Sequence, residues 1–143
     1  MSYTIPQLLA MTSDELDDLF RASPVGDIPN GEAQGTAIIA SGTAYSPEIA
    51  SMVNHFAWQG KNFDAATGTL KNRISPFGLA AILAKVYKGE SWLDQKDCIV
   101  LDYSETSMVA HWIRDEIRLI GPGMYLGVVY WDKTKLIHFA LQF

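Results

Sequence analysis

The C-terminal stretch IRDEIRLIGPGMYLGVVYWDKTKLIHFALQF, residues 113–143, decides the fold. Its apolar and alternating runs are rich in β-branched and aromatic side chains, and they are separated by the turn-forming groups GPG (121–123) and DKTK (132–135). Such a pattern is typical of strands joined by short turns. We predict a hairpin at Pro122-Gly123. Because a Pro-Gly type II turn has the wrong twist for a two-residue hairpin, we expect a wider loop there.

The segment SETSMVAHWIRDEIRLIG (104–121) is compatible with two structures. A helix would place Val109, Ile113, Ile117 and Ile120 on one face. A strand would place Ile113, Asp115, Ile117 and Leu119 on one face instead. We favour a short helical or coil stretch to about His111, followed by a strand that leads into the hairpin.

Further strand-like runs precede this segment. They are GEAQGTAIIA (31–40), KNFDAA (61–66), GTLKNRI (68–74), LAAILAKVYKG (79–89) and DCIVLDY (97–103). Several of their connections are shorter than the roughly dozen residues that a parallel crossover needs. The sequence therefore predicts an antiparallel meander, which a strong twist would close into a β-barrel without exposed edges.

Two helical stretches accompany the strands. In residues 1–23, Asp14 and Glu15 suit the first turn of a helix, and Leu16, Leu19 and Phe20 fall on one of its faces. Residues 46–59 begin with Ser-Pro-Glu and carry an apolar stripe that ends at Gly60, which predicts a helix inserted between two strands. We expect a single domain over residues 1–143.

Composition excludes some classes of protein. The chain is 48% hydrophobic and 19% charged, as in a compact soluble globule, and its net charge of −5 argues against nucleic acid as a partner. The single cysteine, Cys98, permits no intrachain disulfide, and we expect a buried, inert thiol. The N-terminus has neither a basic leader nor a long apolar run, so we expect no signal peptide, no membrane span and cytoplasmic residence.

Polar side chains within apolar strand runs are the candidate ligand-binding residues. We nominate an inner polar lining of Asn72, Tyr87, Asp102, Tyr103, Arg114, Asp115 and Tyr125, with His55 and Trp58 on the inserted helix closing one end. Each assignment has a structural alternative. Asp102 is equally well explained as a strand-end residue that bonds a nearby backbone amide, and for the charged run 114–118 we favour a solvated face. For the aromatic side chains as a group, we favour filling of the core.

No catalytic motif is present. The chain has no GxSxG elbow, Walker loop, GxGxxG turn or HExxH pair, and we expect no metal and no cofactor. If the protein is an enzyme, the candidate catalytic residues are Asp102 or Asp115 as acid or base, with Arg114 or a tyrosine stabilising a developing oxyanion. We expect structural roles for His55, His111 and His138.

Several stretches resemble the calycin barrels, which comprise lipocalins and fatty-acid-binding proteins. These stretches are PVGDIPNGEAQGTA, WQGKNF and the meander from GTLKNRI to Phe143. WQGKNF, SWLDQKDCIVLDYS and RDEIRLIGPGMYLG are, more narrowly, similar to small bacterial proteins with lipocalin-like barrels and no assigned function. The helix at 46–59 departs from the usual lipocalin pattern. The resemblance implies a cavity for a small hydrophobic or amphipathic molecule.

Three hypotheses about function follow. The first is binding of a small hydrophobic or amphipathic ligand inside the barrel. The second is a small barrel enzyme, such as an isomerase, cyclase or lyase, that uses a buried carboxylate with arginine or tyrosine. The third is an interaction module, in which the N-terminal helix and exposed aromatic side chains form a homodimer or partner surface.

Overall fold

A computed structural model describes residues 3–39, 60–73, 80–104 and 113–143. Two helices precede eight strands. The helices are α1 (Ile5–Leu9) and α2 (Ser13–Ala22). The strands are β1 (Gly31–Ile38), β2 (Gly60–Asp64), β3 (Thr69–Arg73), β4 (Ala80–Glu90), β5 (Asp97–Asp102), β6 (Ile113–Gly121), β7 (Met124–Trp131) and β8 (Thr134–Gln142).

The strands form a closed antiparallel barrel in chain order. Each strand pairs with the next, and β1 closes the sheet by pairing with β8, for example at Ala37 opposite Phe139. The predicted mainly-β meander and its closure are confirmed. The predicted strand that leads into the hairpin is also confirmed, and it begins at Ile113. Among the described residues, no helix is long and apolar enough to cross a bilayer.

The barrel interior is a packed apolar core to which all eight strands contribute. Its buried members are Ala33, Phe63, Leu70, Ala84, Val86, Ile99, Leu101, Tyr103, Ile113, Ile117, Tyr125, Val129, Ile137, Phe139 and Leu141. Gly127 and Phe139 are directly opposite each other on β7 and β8, and the Phe139 ring occupies the space beside Gly127 that a Cβ would need. The interior is therefore filled by side chains in this region.

The two helices cover part of the outer wall. Leu8 of α1 and Leu16 and Phe20 of α2 are buried against outward-facing residues of β5 to β8 and Ile38 of β1. Both helices begin with a capping box, Thr4 with Gln7 and Thr12 with Glu15. The predicted N-terminal helical segment is thus present as two short helices. The predicted helix at 46–59 lies outside the described residues.

The segment between α2 and β1 packs into one end of the barrel. Val25 and Ile28 contact the inner core, and the Tyr125 hydroxyl donates a 2.7 Å hydrogen bond to the Asp27 carbonyl. Gly26 has φ +71°, and a Cβ there would lie 2.6 Å from Cβ of Leu119. This contact explains why a glycine is needed at the crossing point.

The hairpin between β6 and β7 is tighter than the sequence predicts. Gly121 pairs with Met124, which leaves only Pro122 and Gly123 in the loop, and Gly123 has φ +66°. A register shift between Leu119 and Gly121 marks a β-bulge next to the turn. The expectation of a wider loop is wrong because the bulge adds local twist, which lets the two strands accommodate this short turn.

Candidate functional site

Strand pleating divides the predicted lining residues between the two faces of the barrel wall. Tyr103, Asp115 and Tyr125 face inward. Tyr87, Asp102 and Arg114 are on the outer face, because they alternate with the inward residues Val86, Leu101 and Ile113. The predicted inner lining is wrong for these three. Asn72 lies on β3, and the structure does not describe its side chain. His55 and Trp58 lie outside the described residues.

The inner nominated residues have no free space around them. Tyr103 and Asp115 are 0% exposed, and Tyr125 is 6% exposed. Asp115 shares the inner face with Leu101 and Val129, its register partners on β5 and β7. A ligand bound inside the barrel beside these residues would have to displace packed side chains.

Three of the four charged residues of β6 are buried and Arg114 is partly buried, so the favoured sequence interpretation of a solvated face is wrong. Asp115 is buried inside the barrel, whereas Glu116 and Arg118 are buried on the outer face at 0% and 1% exposure. The turn between β4 and β5 covers Glu116, and both this turn and α2 cover Arg118. Buried charges need partners, and both of these have several.

Glu116 organises the outer face around it. The Ser91 hydroxyl donates a 2.6 Å hydrogen bond to Oε1, and the Trp92 amide donates a 2.7 Å bond to Oε2. Arg114 donates to the same Oε2 from Nε at 3.2 Å and from Nη2 at 3.1 Å. Nη2 also donates to the Glu90 carbonyl at 2.7 Å. One buried carboxylate thus fixes an arginine and the backbone beneath a tryptophan.

Arg114 and Trp92 form the centre of a surface groove. The guanidinium carbon lies 4.4 Å from the centre of the Trp92 ring, a cation–π contact, and the Trp92 ring packs edge-on against Tyr130 at 5.1 Å. Trp92 nevertheless keeps 43% of its surface exposed. The guanidinium therefore stacks over one face of the indole ring, and the rest of the ring surface stays exposed beside it.

Two pockets share Arg114 and Trp92 as lining residues, and together we call them the outer groove. The first, the Tyr87 pocket, has a volume of about 310 Å³ and is also lined by Tyr87, Gly89, Glu90, Ser91, Gln95 and Val100. The second, the Lys133 pocket, has a volume of about 350 Å³ and is also lined by Asp102, Ser104, Ile113, Asp132 and Lys133. The outer groove therefore brings Tyr87, Asp102 and Arg114 together, but on the outer face of the barrel and not on the inner face that was predicted.

Asp102 has a defined strand-end role in this groove. Its Oδ1 accepts the Ser104 amide at 2.9 Å and its Oδ2 accepts the Tyr87 hydroxyl at 2.8 Å. Burial alone would raise the pKa of Asp102, but hydrogen bonds from Ser104 and Tyr87 bring this pKa below its ordinary value. Because a carboxylate held ionised in this way is a weak base, the pair is better suited to fixed hydrogen bonding than to proton transfer.

The remaining titratable candidates have structural surroundings. Cys98 is fully buried beneath the helices, and burial raises the pKa of its thiol to about 12, as expected for an inert cysteine. His138 lies 2.7 Å from Asp17 of α2, which also pairs with Lys135. Among the described residues, no group of three or more His, Cys, Asp or Glu side chains is placed to hold a metal ion.

Arg118 stabilises the turn between β4 and β5, which contains Trp92. It makes a bidentate pair with Asp94 at 2.7 and 2.8 Å and donates to the carbonyls of Phe20, Lys96 and Asp97. Its hydrogen bonds hold the pKa of Asp94 at about 2. Glu116, Ser91 and Asp94 were not among the site residues predicted from the sequence. A usable signal was present, because SWLDQKD concentrates hydrogen-bonding side chains in one short turn.

The Asp94 carboxylate predicts a defined acid sensitivity. Its pKa falls from 3.8 to about 2 on folding, so its contribution to stability is present above pH 3.8 and is lost as the pH falls toward about 2. We expect the free energy of unfolding of the wild type to fall more steeply over this window than that of Asp94→Asn, which cannot titrate there. Urea denaturation at several pH values measures both slopes. Equal slopes for the wild type and Asp94→Asn would contradict the assignment of this acid sensitivity to Asp94.

The fold has a match among solved structures. The chain is similar to the protein in "Crystal structure of protein from Thermomonospora curvata", with a TM-score of 0.63 and 18% sequence identity over 93% of this chain and 88% of that chain. No protein-family model and no curated protein sequence matches this chain. At this identity the likeness shows a shared fold alone.

Proposed function

We propose that this protein binds a small amphipathic molecule in the outer groove. The observation that carries the proposal is that Arg114 and Trp92, which line both pockets, are held in place by the fully buried carboxylate of Glu116. Side chains fixed before a ligand arrives lose little conformational entropy when it binds. The buried Glu116 carboxylate holds the exposed groups of Arg114 and Trp92 in place, and this preorganisation supports a binding role.

The groove offers an apolar surface for the hydrophobic part of such a molecule. Tyr87 and Trp92 are 39% and 43% exposed and line the groove. Exposed aromatic faces in a concave site are favourable contacts for a planar or apolar group. Binding there would remove aromatic surface from water, which is the main source of affinity for a ligand of this kind.

The same groove offers polar anchors. The hydrogen bonds to Glu116 and Glu90 use Nε and Nη2 of Arg114, so Nη1 is the nitrogen that none of these bonds uses. Asp102 is held by Tyr87 and Ser104 at the edge of the Lys133 pocket. A few polar groups at fixed positions in a mostly apolar site set the orientation of a bound molecule.

The barrel interior is the alternative location for the ligand. The resemblance to calycin barrels implies an internal cavity, and Tyr103 and Asp115 are polar groups on the inner wall. Their complete burial favours the outer groove, because a guest inside would need space that packed side chains now fill. Cytoplasmic residence, a homodimer and catalysis by Asp102, Asp115 or Arg114 stay predictions.

Titration with the uncharged fluorescent probe N-phenyl-naphthylamine tests the proposal. We expect Trp92→Ala to weaken probe binding by about tenfold or more, since truncating a central aromatic contact in a binding site has effects of this order. Tyr87→Ala provides a second groove variant. Leu9→Ala is the matched control, because Leu9 is 46% exposed on α1 and does not line the groove.

The possible results separate the two locations. Weaker binding in both groove variants, with Leu9→Ala equal to the wild type, supports the outer groove. Unchanged binding in Trp92→Ala and Tyr87→Ala contradicts it. If Asp115→Asn then weakens binding in a variant that remains folded, the site lies inside the barrel. Native mass spectrometry of protein purified from its own host would identify a co-purifying molecule.

A further inference from the structure

The Lys133 pocket carries charges of both signs beside an exposed tryptophan. Arg114 and Lys133 supply two cations, and Asp102 and Asp132 supply two carboxylates. Trp92 supplies exposed apolar surface next to them. This pocket suits a purely apolar ligand less well than the Tyr87 pocket does, because such a ligand would remove four charged groups from water, against two in the Tyr87 pocket, without replacing their hydrogen bonds.

Two of these four charges are fixed by neighbouring groups. Arg114 is held by Glu116 and by the Glu90 carbonyl. Asp102 is held by the Tyr87 hydroxyl and the Ser104 amide. Asp102 and Arg114 are also register partners on β5 and β6, so the cation and the carboxylate stand side by side on the outer wall. A ligand entering the pocket meets both at set positions.

The other two charges lie on a strained turn. Asp132 and Lys133 connect β7 to β8 with φ values of +46° and +68°, both in the left-handed region. A two-residue hairpin turn with two positive φ values prefers Asn-Gly or Asp-Gly, so Asp132 suits the first position, whereas a residue with a Cβ at the second position costs roughly 1 kcal/mol relative to glycine. The chain keeps Lys133 at this second position despite that cost. Among the described residues, Lys133 has no ion-pair partner.

We infer that the outer groove binds a small zwitterion with an apolar side group, the chemistry of an apolar α-amino acid. The ligand carboxylate would pair with Arg114 and Lys133, and its ammonium group with Asp102 and Asp132. Its side group would lie on Trp92. A monoanion would meet both carboxylates and a monocation would meet both cations, so a zwitterion fits this pocket better than either. This inference rests on the proposed function of the groove.

Three probes with the same phenyl group test the inference. L-phenylalanine is a zwitterion at neutral pH, hydrocinnamate carries only the carboxylate, and phenethylamine carries only the ammonium group. Ligand-observed NMR and calorimetry at pH 7 measure their affinities for the full-length protein. We expect L-phenylalanine to bind about fivefold or more tightly than either analogue, since each additional exposed ion pair contributes a factor of this order.

The variant Lys133→Gly separates binding from folding. Glycine relieves the strain of the turn, so we expect a higher melting temperature than that of the wild type. We also expect about fivefold weaker binding of L-phenylalanine and hydrocinnamate, with phenethylamine binding no more weakly than to the wild type. A variant that is more stable and yet binds less tightly cannot owe its loss of affinity to misfolding. Asp132→Asn is the converse variant, expected to weaken binding of phenethylamine and L-phenylalanine but not of hydrocinnamate.

The outcomes distinguish this inference from the function on which it rests. Equal affinities for the three probes, or no detectable binding of any, would overturn the zwitterion assignment. Unchanged L-phenylalanine binding in Lys133→Gly would overturn it as well. In each of these cases the proposed function survives if Trp92→Ala still weakens binding of N-phenyl-naphthylamine. If Trp92→Ala affects neither that probe nor L-phenylalanine, both proposals fail.

Discussion

Replacing Gly127 by alanine is expected to destabilise the protein by more than about 3 kcal/mol, beyond the usual range for overpacked cores. An added Cβ would lie 2.1 Å from Cζ and 2.2 Å from Cε1 of the Phe139 ring, which is itself 0% exposed. The ring cannot stay in place, and the described core residues around it are closely packed. Urea denaturation measures the loss, and circular dichroism reports whether the variant folds.

A second substitution keeps this prediction testable if Gly127→Ala does not fold. In the double variant Gly127→Ala/Phe139→Leu the smaller side chain frees the space that the new methyl group needs. We expect it to be more stable than Gly127→Ala alone, which is a positive coupling between the two sites. Gly89→Ala on β4 is the matched control, since a Cβ there would approach Val100 only to 3.3 Å. A Gly127→Ala variant as stable as the wild type would contradict the packed interior.

Replacing Arg118 by methionine is expected to cost about 3–5 kcal/mol, the range for removing one partner of a buried ion pair. Arg118 is 1% exposed, and its loss would remove the charged donor from Asp94 and from the carbonyls of Phe20, Lys96 and Asp97, of which Asp94, Phe20 and Lys96 each keep one backbone N–H donor. The guanidinium carbon also lies 4.5 Å from the centre of the Phe20 ring. The substitution therefore loosens α2 as well as the turn that carries Trp92.

The surface pair Arg21 with Asp18 provides the control for Arg118→Met. Arg21 is a half-exposed arginine on α2, with an ion pair at 2.9 Å to a side chain that is 77% exposed. We expect Arg21→Met to change the free energy of unfolding by no more than about 1 kcal/mol. Similar losses in the two variants would show that the burial of Arg118 adds nothing to its contribution to stability.

Strand positions were predictable because their signals are local. Period-two runs bounded by Gly, Pro and Asp place β1 and β5 to β8 close to their observed bounds, and connections too short for parallel crossovers require an antiparallel order. The helix starts were equally predictable in principle. Thr4 with Gln7 and Thr12 with Glu15 are both capping boxes, and their three-residue spacing is a local signal of the same kind.

Which residues share a site was less predictable. Nominating both Asp102 and Tyr103 for one cavity conflicts with the alternation of a strand, because consecutive side chains point to opposite faces. The alternation itself was read correctly for β6, where Ile113, Asp115 and Ile117 do face inward. The error lay in the assumption that polar side chains belong to the inner face.

The burial of Glu116 and Arg118 could not be read from β6 alone. Alternating charges on a strand look solvated unless another segment covers them. Residues 91–97 and α2 cover these two side chains. Phe20 of α2 and Arg118, which are in contact, are 98 residues apart in the sequence. Such long-range contacts leave no periodic trace in either segment.

A register shift in the β7–β8 pairing was also not predictable from the sequence. It lies between Val129 and Tyr130. Strict alternation would place Leu136 and His138 on one face of β8, but Leu136 packs against the inner core and His138 contacts Asp17.

Chemical-shift mapping by NMR, with L-phenylalanine or N-phenyl-naphthylamine added to the wild-type protein, tests the location of the site most directly. We predict that the largest amide shifts occur at the groove residues Ser91, Trp92, Arg114 and Lys133, with the inward-facing residues Tyr125, Phe139 and Leu141, which are remote from the groove in sequence, among the least affected. Shifts concentrated at inward-facing residues, with the groove unchanged, would contradict the assignment of ligand binding to the outer wall.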